Sequence, residues 1–198
     1  LVKVTMRPYL STHHLWSAQL LTQQVQEIED SHAGESPSVA FNYHRAYAIG
    51  AITCSAAFLE ASVNEIYKDV VDEHAIYTLP LTDEQKKTLG LIWKLTEERD
   101  RNLRILDKYQ LALEHLQIPQ FESGLAPFQD AALVLGLRNA LVHFKPETSG
   151  LDEQSKLEKQ LAGKFAPCKL YKEMGNPFFP DHCLGYGACV WALDSVLA

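Results

Sequence analysis

Three chemically able side chains close one apolar stretch of this 198-residue chain: Arg138 and Asn139 stand side by side, and His143 follows one helical turn after Asn139. Ala131-Ala132-Leu133-Val134-Leu135-Gly136-Leu137 precedes them and Phe144-Lys145-Pro146-Glu147 follows. An imidazole can take or give a proton near neutral pH, and a guanidinium can neutralise charge developing on phosphorus oxygens. A carboxamide can orient the first or donate to the phosphate. Such a set suits chemistry at a phosphodiester and requires no metal.

The apolar residues at 133, 134, 137, 141 and 144 recur with a helical period, and Pro146 forbids continuation, so a helix is expected with His143 in its last turn. The negative end of the helix dipole favours an imidazolium there. Asn139 and His143 share a face, whereas Arg138 and His143 diverge by roughly 140° on an ideal helix. Convergence on one phosphate is easier if one of the two groups comes from another chain. On pattern alone the same residues also read as a helix cap, with His143 bonding the last carbonyls and Arg138 on the surface.

Arg138-Asn139-x-x-x-His143, extended by Phe144-Lys145-Pro146-Glu147, resembles the Arg-polar-x-x-x-His signature of the HEPN superfamily, all-helical domains of which many are metal-independent RNases. The resemblance implies an earlier long helix, for which Ala56-Ala57-Phe58-Leu59-Glu60-Ala61-Ser62-Val63-Asn64-Glu65-Ile66-Tyr67 is the candidate. It also implies a homodimer in which two motifs face one cleft. The expected activity is endoribonucleolytic, in microbial defence or stress. His143 would exchange protons with the ribose 2′-OH and the leaving 5′-oxygen, and Arg138 would stabilise the charged phosphorus oxygens. Products would be a 2′,3′-cyclic phosphate and a 5′-hydroxyl. Glu60 and Asn64, one turn apart, would orient Arg138 or His143, or else form a satisfied polar pair between helices.

Expected partners are RNA, a second copy of the chain and an antitoxin or other defence partner, with no cofactor and no membrane. Lys145 stands where one HEPN toxin group carries a tyrosine modified by a nucleotidyltransferase, so that circuit is not expected. The alternative is a non-catalytic HEPN-like module that dimerises or binds a nucleotide or protein in the same groove.

A net charge of −7 argues against broad nucleic-acid binding, which depends on phosphate neutralisation, so RNA contact must rely on a local basic patch. Arg101, Arg104 and Lys108 fall on one expected helical face and, with Lys145, are the candidates, although Asp100 and Asp107 suggest a solvated surface. Lys156, Lys159, Lys164, Lys169 and Lys172 alternate with acidic residues. Cys54, Cys168, Cys183 and Cys189 show no framework spacing, and Cys168, His182, Cys183 and Cys189 match no zinc pattern, so buried free thiols are expected. Scattered cysteines, no sequon, no apolar run of membrane-span length and no leader before the first helix point to the cytoplasm. The start at Leu1 and the end inside an apolar-periodic run are expected of a trimmed or partial chain.

Periodicity makes the expected fold class all-α, and the resemblance implies a single HEPN-like helical domain over 1–198 with additional C-terminal helices. Ser11-Thr12 caps a first helix carrying Leu15, Trp16, Leu20, Leu21, Val25 and Ile28. A long central helix spans about 39–72, its Ala46, Ala48, Gly50, Ala51, Ala56, Ala57 and Ala61 permitting close approach. Thr82-Asp83-Glu84-Gln85 reads as a capping box for a helix through Leu95, followed by helices over about 102–117, 152–161 and the C-terminus.

Overall fold

A computed structural model describes residues 6–74, 80–98, 103–145, 155–172 and 175–198. The chain is all-α: its helices are α1 (Ser11–His32), α2 (Val39–Val71), α3 (Asp83–Glu98), α4 (Ile105–His115), α5 (Phe128–Val142), α6 (Lys156–Leu161) and α7 (Tyr186–Leu197), with a π-type turn at Phe178–His182. No strand occurs among the described residues. Contacts group the chain into two compact units, Leu1–His13 with Phe58–Glu122, and His14–Ala57 with Ser123–Ala198, so that α1 and α2 each contribute to both.

In the first unit, Val63, Tyr67 and Val70 of α2 and Leu89 of α3 are buried, with Trp93, Ile105, Tyr109 and Leu116 packed around them. The Tyr67 ring stacks on Trp93 at 5.7 Å, and its hydroxyl donates to the Lys108 carbonyl at 3.0 Å. The expected capping box is formed: the Thr82 N–H donates to Gln85 at 2.9 Å and the Gln85 N–H to the Thr82 hydroxyl at 3.3 Å. The helix after it is shorter than expected, beginning at Ile105 with Arg104 as its N-terminal flank.

The start of α1 corrects the expectation for Ser11. Its hydroxyl does not cap its own helix but donates to Glu65 of α2 at 2.6 Å, while the Leu10 and Ser11 N–H groups donate to the same carboxylate at 2.7 and 2.9 Å. A carboxylate at a helix N-terminus satisfies orphan donors and meets the positive end of the dipole. Glu65→Ala is expected to lower stability by about 1 kcal/mol, the usual scale of a lost N-terminal cap. An unchanged urea midpoint would show that water replaces the carboxylate at no cost.

In the second unit, α5 packs against α6 and α7. Ala131, Leu133, Val134 and Leu137 form its buried stripe, facing an α7 that buries Ala188, Cys189, Ala192, Leu193 and Val196. Gly50 of α2 lies so close to α1 that a Cβ there would stand 2.8 Å from Leu21 Cδ1, whereas Ala46 faces solvent. Trp16 and Leu20, expected on the packed face of α1, are 60 % and 61 % exposed. Ser155 and Glu158, at the same Ser-x-x-Glu spacing, form a second capping box at α6.

By length and mean hydropathy α2 is long and apolar enough to cross a membrane, contrary to the expectation that no run would be. Burial of Ala48, Ala51, Ile52, Ala56 and Val63 gives that apolarity a second origin, the packed face of a core helix.

Candidate functional site

Arg138 and Asn139 lie in the penultimate turn of α5, and His143 is the first residue past its end, with non-helical φ −105° and ψ 30°. The chain leaves the helix one residue earlier than expected, while the His143 N–H still donates to the Asn139 carbonyl at 2.9 Å. Asn139 and His143 are exposed and Arg138 is half-buried, so the helix end presents an imidazole and a carboxamide to solvent with the guanidinium partly sheltered. Phe144, expected on the buried stripe, is 56 % exposed and leans on Phe179 at 6.3 Å. Lys145 is exposed.

Contacts along its length hold α5 in place. Leu133, Val134 and Leu137 anchor α5 in the core, and Asp130 in its first turn accepts Lys164 Nζ at 2.7 Å. Gly136 approaches α6, where a Cβ would meet Leu157 Cδ1 at 3.8 Å. The motif thus stands on a rigid helix, while the loop that follows supplies His143.

The other expected site residues divide. Glu60 and Asn64 belong to the first unit and Arg138, Asn139 and His143 to the second, each described by itself. Within the first unit Asn64 accepts Lys108 Nζ at 2.7 Å, and the same ammonium lies 5.1 Å from the centre of the Trp93 ring. Burial lowers the Lys108 ammonium against the opposing charge of Glu60. Lys108 is therefore a structural cation, and Glu60 and Asn64 are its polar surroundings. Arg104 is exposed but chelated by Asp107 at 2.8 and 3.2 Å; Arg101 lies outside the described residues. Of the later lysines, Lys164 pairs with Asp130 and Lys169 with Asp30, both at 2.7 Å.

The structure also assembles a polar cluster that spacing did not reveal. Glu29 near the end of α1, His44 of α2 and Cys168 are all buried, with Glu29 Oε1 3.1 Å and Cys168 Sγ 3.8 Å from His44 Nε2. The Tyr186 N–H donates to Glu29 Oε1 at 2.8 Å. Burial alone would raise the Glu29 carboxyl, but the bond from His44, the Tyr186 N–H, the charge of His44 and the Lys169 N–H together hold it below the ordinary value. Burial pushes the Cys168 thiol up to about 12, helped by the charge of Glu29, and the Cys183 thiol to about 12 as well.

The cysteines are free, with Cys168, Cys183 and Cys189 buried as expected and Cys54 half-buried. The periodicity of α2 carried a signal for His44: Phe41, His44, Ala48 and Ile52 recur at threes and fours, which puts an imidazole on the buried stripe. Glu29 had no such mark. No family model matches this chain, and no curated protein or solved structure matches it either.

Proposed function

We propose that this protein is a metal-independent endoribonuclease of HEPN type, acting as a homodimer through Arg138, Asn139 and His143. The observation that supports it most is the accessible end of α5, where Asn139 and His143 are exposed beside a half-buried Arg138 on a helix anchored by its apolar stripe. His143 takes the proton of a ribose 2′-OH, the 2′-oxygen attacks phosphorus, and the 5′-oxygen leaves with a proton returned from an imidazolium. Arg138 neutralises the phosphorus oxygens, and Asn139, one turn from His143, orients the imidazole or the phosphate.

Cleavage is expected to persist in EDTA and to fail on an otherwise identical 2′-deoxy substrate. Activity restored to chelated protein by magnesium or manganese would overturn the mechanism, as would equal cleavage of the deoxy strand.

One observation favours a second reading, a non-catalytic HEPN-like module for a nucleotide or protein partner. Lys108, Lys164 and Lys169 are paired within the chain and Arg104 is held by Asp107, which withdraws these four cations from an RNA backbone. Binding of RNA without cleavage, unaffected by His143→Ala, is the result that reading expects.

A further inference from the structure

We propose that Glu29, His44 and Cys168 form a closed binding site for one divalent transition-metal ion of the zinc class, which ties α1, α2 and the segment around Cys168 together. The three residues come from separate parts of the chain, and one ligand atom from each lies within 4.8 Å of the others. A tetrahedral ion with metal–ligand bonds of ~2.0–2.3 Å separates its ligands by roughly 3.3–3.6 Å. The observed separations, 3.1 Å from Glu29 Oε1 to His44 Nε2 and 3.8 Å from Cys168 Sγ to His44 Nε2, fall on either side of that range. Side-chain shifts of about an ångström suffice to close the site.

Donor chemistry selects the ion. Imidazole, thiol and carboxylate together suit zinc, cobalt or their neighbours, while the sulfur disfavours magnesium and calcium. Charge also balances: a carboxylate, a thiolate and a neutral imidazole carry two negative charges, which one divalent ion cancels in a place where none of the three side chains reaches solvent. Binding releases the Cys168 thiol proton to solvent, together with one proton from His44 if the ring enters charged. Among the described residues, the polar contacts of His44 are directed at this cluster and its buried Nδ1 has no hydrogen-bond partner.

The surroundings hold the ligands in place. The Tyr186 N–H at 2.8 Å and the Lys169 N–H at 3.5 Å fix the two oxygens of Glu29, and the Cys168 N–H donates to the His182 carbonyl at 2.9 Å. A Cβ on Gly185 would stand 2.7 Å from both Glu29 Oε1 and Cys168 Cα, so only glycine lets the chain pass this close. Complete burial makes the site structural, so it stands or falls independently of Arg138 and His143.

Cobalt(II) is the probe, titrated into the full chain after chelator treatment, with absorbance and circular dichroism recorded together. One equivalent should produce a thiolate-to-cobalt charge-transfer band and the visible bands of a tetrahedral ion, and should raise the melting temperature. Cys168→Ser should abolish the charge-transfer band and weaken cobalt binding by about a hundredfold or more, whereas Cys54→Ser should leave both intact. If Cys168→Ser does not fold, His44→Gln takes its place, with the same loss of affinity expected. A folded wild-type chain that shows no charge-transfer band at saturating cobalt overturns the site. So does a band that survives Cys168→Ser or vanishes with Cys54→Ser.

Discussion

Arg138→Ala and His143→Ala should each lower RNA cleavage by on the order of a hundredfold or more, the usual consequence of losing a charge-stabilising or acid–base group. Neither change should disturb the fold much, because the buried stripe of α5 runs through Ala131, Leu133, Val134 and Leu137 and leaves both side chains outside it. The two inactive variants should complement each other. Arg138 and His143 diverge around one helix by roughly 140° if the helix were continued ideally, and His143 sits past its end, so a site sharing Arg138 of one subunit with His143 of the other is the simpler geometry. A mixed dimer then recovers one intact site, and up to about half of the wild-type rate if the sites are independent. Co-refolding the variants, demonstrating the mixed dimer by sedimentation and assaying a ribose substrate tests this. A monomer at micromolar concentration, or demonstrated mixed dimers without recovery, counts against the shared site.

Glu29→Ala should have the largest effect on stability of any single change considered, about 3–5 kcal/mol, the scale for breaking a buried hydrogen-bonded pair that includes a carboxylate. Its carboxylate is 1 % exposed and accepts His44 and the N–H groups of Tyr186 and Lys169. Removing it orphans a buried imidazole and two backbone donors at once. Glu29→Gln keeps the shape and one acceptor oxygen, so it should lose less. Since a domain holds only about 5–15 kcal/mol in total, the alanine variant is expected to shift the urea midpoint far more than Glu65→Ala does. Equal midpoints for the two variants would mean that water enters and satisfies the cluster.

Local signals carried much of the architecture. The capping box at Thr82 is formed within four residues, and the small and apolar residues of α2 announce a long packed helix ending at Val71, one residue short of expectation. Burial of Cys168, Cys183 and Cys189 followed from composition and spacing, and Pro146 set an end to α5 ahead of it, though the helix stops at Val142 with His143 past its end. The motif at Arg138, Asn139 and His143 was legible because its members fall within two turns of one another. Periodicity misjudged Trp16, Leu20 and Phe144, since it identifies an apolar face without saying whether another element covers it.

What sequence alone determined is therefore what neighbours along the chain can settle: helix positions, caps within a few residues, and the chemistry available at one helix end. Tertiary structure decided which polar groups meet. Glu65 reaches the start of α1 across more than fifty positions, Lys108 turns inward to Asn64 across forty-four, and Cys168 joins His44 across one hundred and twenty-four. No periodicity encodes such pairs, because a charge is brought into a core only where the folded chain returns a partner to compensate its lost hydration, and that partner comes from wherever the packing of helices happens to deliver it.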